Sequence, residues 1–399
     1  MYQNKPSYHR NRPGVRHFGP NSRPKRGAKP SVNPERFIKA ATPELIPKYT
    51  ATHEFADFEM HPLLKANVTV KGYIRPSEIQ DKTIALGLAG KDVIGIANTG
   101  TGKTAAFALP VLNSLMRHPG TSVLIIAPTR ELAIQIETQF KILAKSSGLR
   151  HALLIGGSPM GRQLHDLSIG AQIIIGTPGR IKDHLSHGKL NLDRCQTVVL
   201  DEVDRMLDMG FVKDVRFILA ALPAQRQSFF FSATMRPEIS ELIHTFAREP
   251  EIINVKQGET SQNVNQGVVR FNDKTHRMNL LRDILNSPDV TKAIIFGRTK
   301  YGVERLSKDL VGQGFRAGSI HGGKTQGNRN RTLDSFRSDQ IKILVATDVA
   351  ARGIDIRDIS HVINFDAPET YDDYVHRIGR AGRRGEPGHA LTFVENSPR

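Results

Sequence analysis

The chain has 399 residues, a formal net charge of +17 and one cysteine, Cys195. This length suits two ordinary domains plus a tail, and the lone cysteine excludes an internal disulfide and a thiolate metal cluster. The charge favours an anionic polymer as partner, while the lack of a span-length apolar run or a signal-peptide core argues against a membrane and makes the cytoplasm the expected address.

Residues 1–50 carry 11 Lys and Arg against two acidic residues, with eight prolines. Such a segment buries too little apolar surface to offset its ordering entropy, so a disordered basic tail is expected. A solubilising tail and a nucleic-acid-binding arm fit it equally. From about His53, short apolar runs at 92–97, 123–127, 152–155, 172–176, 197–201 and 228–231 alternate with helical stretches. Continuous apolar runs of this kind predict a parallel sheet covered on both faces. Cys195, just before one such run, is expected to be a small core residue. Residues 256–263 are polar, contain Gly258, and are expected to be a linker. The alternation resumes at 266–271, 292–296, 315–320, 341–346, 361–365 and 389–394. The expected organisation is therefore a tail over 1–50, one α/β domain over 51–255, a linker over 256–263 and a second α/β domain over 264–399. The chain ends soon after the last run, so no C-terminal accessory domain is expected.

The run ending at Ile96 leads into Ala97-Asn98-Thr99-Gly100-Thr101-Gly102-Lys103-Thr104. A Gly-rich loop between strand and helix presents backbone N–H groups to phosphate, with the Lys on the outer phosphates and the Thr hydroxyl on Mg²⁺. The run ending at Leu200 leads into Asp201-Glu202-Val203-Asp204. Its first carboxylate can meet Mg²⁺, directly or through water, and the second can take a proton from an attacking water. Together the two segments predict a nucleoside-triphosphate site. The strict pattern G-x-x-x-x-G-K-[ST] fits residues 318–325 instead, with Lys324 as its lysine. The 97–104 loop is preferred because Lys103 and Thr104 enter a good helix, whereas Thr325 precedes Gln-Gly-Asn, a poor helix start. Only the first half also offers a strand ending in Asp-Glu.

Triphosphate hydrolysis needs positive charge on its transition state. His376, Arg377, Arg380, Arg383 and Arg384 cluster near the chain's end, interleaved with Gly379 and Gly382. Arg380 and Arg383 share one face if helical, and the glycines favour close approach to a ligand. The site is thus expected in a cleft between domains, with hydrolysis coupled to closure. Pro128-Thr129-Arg130, Gly156-Gly157, Thr177-Pro178-Gly179-Arg180 and Ser232-Ala233-Thr234 follow other apolar runs. Ligands bind at the carboxyl ends of parallel strands, and small hydroxyls, backbone N–H groups and Arg suit a sugar-phosphate backbone.

With these segments in place, the chain resembles the DEAD-box ATP-dependent RNA helicases of superfamily 2 over residues 55–395. Phe55 and residues 72–80 are similar to the Q motif, 97–104 to motif I, 128–133 to Ia, Gly156-Gly157 to GG, 177–180 to Ib, 201–204 to II and 232–234 to III. Residues 294–299 resemble motif IV, Gln326 with Arg329 the Q-x-x-R element, 346–355 motif V and 374–383 motif VI. The resemblance implies two tandem RecA-like (P-loop NTPase) domains, each a mostly parallel sheet flanked by helices. It implies ATP, bound by Phe55, Gln80, 97–104 and Asp355, with Gln80 reading adenine, and Mg²⁺ at Thr104 and Asp201. It implies catalytic roles for Lys103, Asp201, Glu202, His376 and the finger residues Arg380 and Arg383.

RNA, gripped by its backbone with little sequence specificity, is the implied partner, with ribonucleoprotein complexes beside it. Pro128, Thr129, Arg130, Gly156, Gly157, Thr177, Gly179, Arg180, Thr299, Gln326, Arg329, Thr347 and Asp348 carry that contact. Asp204, Ser232 and Thr234, with His376, link the two ligand sites. The implied activity is RNA-stimulated ATP hydrolysis driving local strand separation. An ATP-gated RNA clamp with little unwinding uses the same core and is the alternative. A DNA helicase is a third reading, disfavoured by the Q motif and the backbone-reading motifs. Two positions depart from the family pattern: Val203, where Ala is usual, and Gly323, where Asp is common.

Overall fold

A computed structural model of the chain describes residues 49–98, 100–255, 264–351, 358–382 and 388–396. The expected tail (but for its last two residues) and linker, and the site residues Thr99, Asp355 and Arg383, lie outside the described residues. Strands β1 (Val93–Ile96), β2 (Ser122–Ile126), β3 (His151–Leu154), β4 (Ile173–Gly176), β5 (Cys195–Leu200), β6 (Gln227–Ser232) and β7 (Glu251–Asn254) form one parallel sheet. Its order is β3-β4-β2-β5-β6-β1-β7. Strands β8 (Val264–Phe271), β9 (Ala293–Phe296), β10 (Ala317–Ile320), β11 (Ile343–Ala346), β12 (His361–Asn364) and β13 (Gly388–Glu395) form a second parallel sheet, ordered β10-β11-β9-β12-β13-β8. Helices cover both sheets, giving the tandem RecA-like architecture that the sequence implies.

Each expected apolar run is a strand, and β7 is an addition. It is an edge strand with Ile253 as its one buried residue, so it carries almost no apolar signal. Strands β1 and β4 are buried at every position, which is why their sequences read as continuous rather than alternating. The first core has two sides because successive strand residues face opposite ways. Phe229 and Phe231 pack with Phe107 and Phe140 on one face, and Phe230 packs with Val203 and Met206 on the other. Cys195 lies in the second of these clusters, where burial pushes its thiol up to about 12. It is the core residue its context suggested.

Many helices start on a threonine that satisfies one of the free N–H groups of the first turn. Thr129 accepts from Leu132 N at 3.3 Å and Thr299 from Gly302 N at 3.0 Å. Thr325 does the same for Asn328 N at 3.3 Å, and a helix runs from Gln326 to Arg337. The expectation of a poor helix start there is thus corrected: a capping hydroxyl offsets the roughly 1 kcal/mol penalty of Gly327.

Candidate active site in the interdomain cleft

The order β5-β6-β1 sets the C-terminal ends of β1 and β5 on either side of β6, about 10 Å apart. From β1 the chain turns through Gly100 (φ 87°) and Gly102 (φ 93°) into the helix Lys103–Arg117. Those left-handed values favour glycine. Ser77 Oγ donates to the Thr101 carbonyl at 2.8 Å, and Gln80 Nε2 donates to the Gly102 carbonyl at 3.1 Å. A Cβ on Gly102 would stand 2.4 Å from Gln80 Nε2, so the loop and Gln80 fit only with glycine there. Thr101 Oγ1 donates to the Asn98 carbonyl at 2.9 Å, closing the turn. The Lys103 ammonium donates to the Ala97 carbonyl at 2.9 Å.

From β5 the chain enters Asp201 and Glu202, which are 2% and 5% exposed. Glu202 adopts φ 55°, ψ 55°, a left-handed backbone costly for a side-chain-bearing residue and typical of functional turns. Burial raises Asp201 above the ordinary carboxylate range; the Lys103 ammonium opposes this and the Glu202 carboxylate adds to it. Glu202 Oε2 accepts no hydrogen bond and has Arg205 Nε at 3.4 Å. Tyr73, Gln80, Lys103, Thr104, Asp201 and Glu202 line a single cavity of about 870 Å³, and Arg380 of the second half lines it too. Arg380 lies past the end of the helix Tyr371–Ile378, which Gly379 caps. Arg380 is therefore not on the face of that helix.

Phe55 was expected beside the nucleotide. It is 3% exposed in the core, its ring 5.2 Å from that of Tyr73, and Tyr73 is the aromatic that faces the cavity. The segment 318–325 is occupied with itself: Lys324 Nζ donates to Ser319 Oγ at 2.6 Å and lies 3.2 Å from Glu304 Oε2. Those contacts, rather than helix propensity, set Lys324 apart from a phosphate-binding lysine. Gly323 N–H meets His321 Nδ1 at 3.1 Å, and a Cβ there would press on that ring at 3.1 Å.

The other half of the first sheet, β3-β4-β2, carries the expected RNA segments at its C-terminal ends. Pro128 is buried before the Thr129 cap. Arg130 packs its guanidinium over Gly156 and Gly157, where a Cβ would come within 2.7 and 2.4 Å of it. Thr177 is the N-cap of the helix Pro178–Ser186, whose first turn holds Gly179 and Arg180, with Arg180 Nε 3.6 Å from Asp183. In the second half, Thr299 caps its helix and the Thr347 N–H meets the Ile320 carbonyl at 3.3 Å.

Other residues that the sequence singles out have partners within the protein. Gln326 Nε2 and Arg329 Nη2 both donate to Glu131 across the cleft, each at 2.9 Å. Glu131 is 4% exposed, and a buried carboxylate needs such donors. Asp348 accepts from Arg377 Nε at 2.6 Å and Nη2 at 2.7 Å, so its carboxylate holds the helix carrying His376. That fork also commits Arg377 inside the second half. His376 Nδ1 meets Arg205 Nη2 at 3.1 Å, a contact between the two halves. Asp204 Oδ2 accepts from Ala233 N at 3.1 Å, Thr234 N at 3.2 Å and Thr234 Oγ1 at 3.3 Å, and Ser232 Oγ donates to the Thr234 carbonyl at 2.7 Å. Motifs II and III are thus one hydrogen-bonded unit. Tyr73, Glu131 and Arg205 were missed as site residues. Tyr73 and Glu131 lie inside segments the sequence singles out and Arg205 adjoins one, and the partners of Glu131 and Arg205 come from the other half.

Residues 77–242 match the family described as DEAD/DEAH box helicase, and residues 276–385 match the helicase conserved C-terminal domain. The chain is 46% identical over 336 residues to an ATP-dependent RNA helicase CshA of Limosilactobacillus reuteri, covering 83% of this chain and 67% of that protein. It is 44% identical over 344 residues to the CshA of Listeria monocytogenes, covering 86% and 66%. The chain thus spans about two thirds of the length of these relatives. Among solved structures, S. cerevisiae Dbp5 bound to RNA and ADP BeF3 is similar with a TM-score of 0.76 at 28% identity, covering 86% of this chain and 90% of that one. A DEAD box protein from Methanococcus jannaschii is 36% identical with a TM-score of 0.52, covering 86% and 93%.

Proposed function

The chain belongs to the DEAD/DEAH box helicase family, and on that premise we propose that it is an ATP-dependent RNA helicase whose two halves close on ATP and RNA together. One observation carries the reading: Arg380 of the second half lines the same cavity as Lys103, Asp201 and Glu202 of the first. Only with the halves apposed is that set complete.

In this reading, the glycine loop and the Lys103 ammonium take the triphosphate, and Tyr73 and Gln80 face its base. Lys103 exchanges its Ala97 carbonyl for phosphate oxygen. The buried, upshifted Asp201 and the Thr104 hydroxyl fit Mg²⁺, because an ionised carboxylate at that depth needs more positive charge than Lys103 alone supplies. Bound there, Mg²⁺ supplies charge neutralisation at the phosphates. Glu202, through its unbonded Oε2, takes the proton of the attacking water, and Arg205 and His376 position that carboxylate from either half. Arg380 and Arg383 stabilise the charge that develops. Arg130 with Gly156 and Gly157, the Thr177 helix start, Thr299 and Thr347 grip the RNA backbone. Ribonucleoprotein complexes in the cytoplasm are natural substrates for such remodelling. We place the two modules at 51–255 and 264–399.

The test is ATPase activity with and without RNA, and with DNA of the same sequence. RNA stimulates and DNA does not, and Arg380→Ala lowers RNA-stimulated turnover by roughly 10³-fold. Equal stimulation by DNA overturns the RNA assignment. Separation of a short RNA duplex distinguishes unwinding from clamping.

A further inference from the structure

At the N-terminal end of the second sheet, two histidines outside the cavity's lining face each other. His361 opens β12 and His389 stands beside it in the register of β13, so both side chains leave the same face one strand apart. Their rings stack with centroids 4.7 Å apart and planes within 9°. Asp289, in the loop before β9, brings Oδ2 to 3.6 Å from His361 Nε2. One donor atom of each of the three lies within 4.8 Å of the others. The carboxylate and one ring are oriented from behind. Ser287 Oγ donates to Asp289 Oδ1, which leaves Oδ2 for the imidazoles. Ser360 Oγ lies 3.1 Å from His361 Nδ1, engaging the nitrogen that does not face Asp289. Outer hydrogen bonds of this kind fix the ligands of metal sites. The nearby Lys292 ammonium is turned to Asp339 at 2.9 Å. His361 is 3% exposed, but the Asp289 side chain is 58% exposed and gives an ion its way in.

We propose that Asp289, His361 and His389 form a Zn²⁺ site, separate from the nucleotide cleft, that clamps the loop before β9 to the starts of β12 and β13. Two imidazoles and one carboxylate are a zinc ligand set that leaves a fourth position for water. Mg²⁺ and Ca²⁺ take oxygen ligands and do not suit it. Ligands of tetrahedral zinc stand roughly 3.4 Å apart, so donors that lie within 4.8 Å of one another need to close by at most about 1.4 Å through ring rotation.

The test uses the full chain, stripped of metal and free of nucleotide, titrated with ZnCl₂ against a chromophoric competitor and followed by thermal unfolding. The parent takes up one Zn²⁺ that Asp289→Ala and the double variant His361→Asn, His389→Asn do not. Ser287→Ala weakens that uptake by about 10-fold. Zinc raises the Tm of the parent and not that of Asp289→Ala, whose exposed position leaves the zinc-free Tm and the Mg²⁺-dependent ATPase activity as in the parent. Equal Zn²⁺ uptake and equal Tm rise in parent and Asp289→Ala overturn the proposal, as does a parent that takes up no Zn²⁺.

Discussion

Replacing Glu131 by Ala removes the acceptor that joins the two halves across the cleft. Its Oε1 accepts from Gln326 and its Oε2 from Arg329, both at 2.9 Å, with Glu131 4% and Arg329 8% exposed. Closing the variant would bury the Arg329 guanidinium without its counterion, whereas an open form hydrates it. Removing one partner of a buried pair costs about 3–5 kcal/mol. The lower end applies here, because the unbonded Gln326 Oε1 can turn to accept from Arg329. About 3 kcal/mol is roughly 150-fold in the closure equilibrium. The RNA concentration for half-maximal ATPase stimulation should rise by about 100-fold. Turnover at saturating RNA should stay within about tenfold, since Lys103, Asp201, Glu202 and Arg380 are untouched. Nucleotide affinity without RNA should not change. The assay is a steady-state ATPase titration with RNA, paired with fluorescence transfer between labels on the two halves. If the variant closes and responds to RNA as the parent does, the pair contributes nothing to closure and the reasoning is wrong.

Glu202→Gln should retain ATP and RNA binding while nearly abolishing turnover, because the amide keeps the shape and loses the base; a variant with most of the parent's kcat excludes that role. Lys103→Ala should lose nucleotide affinity and Lys324→Ala should keep it, since Lys324 is tied to Ser319 and Glu304; fluorescent-nucleotide titration of both reads the difference. Val203, fully buried against Met206 and Phe230, should cost roughly 1–2 kcal/mol as Val203→Ala, measured by denaturant unfolding, with kcat within about tenfold. The Ser319 hydroxyl, with His321 and Lys324, holds Glu304 down at about 2 from 4.5. A carboxylate with a depressed folded pKa contributes stability above its unfolded value that is lost as pH falls through the folded one. Glu304→Gln should therefore flatten the decline of Tm between those two pH values, and an unchanged slope would remove Glu304 from the acid response.

Much of the cleft is legible in the sequence. The loop after β1 and the Asp-Glu after β5 are consecutive residues, and their chemistry follows from a glycine turn or a strand end that a dozen neighbours specify. The apolar runs located β1–β6 and β8–β13 for the same local reason. Edge strand β7 escaped because one buried residue makes no pattern. The helix after Thr325 forms against its local propensity because the Thr325 hydroxyl caps it.

What local sequence does not contain is the choice of partner. Phe55 and Tyr73 are both aromatics of one motif, and packing alone sends the first into the core and turns the second to the cavity. Asp348 carries the charge of a ligand-binding residue, yet a fork from Arg377 absorbs it. Glu131 meets Gln326 195 positions away, Arg205 meets His376 171 positions away, and His361 meets His389 only because β12 and β13 lie side by side. The sequence by itself determined which segments could hold phosphate, metal and RNA, because each such segment is a short run of backbone with its own turn. Tertiary structure alone decided which charges remain available to ligands, because burial forces each ionised group onto whatever counterpart the sheet order and the meeting of the two halves bring within hydrogen-bonding reach.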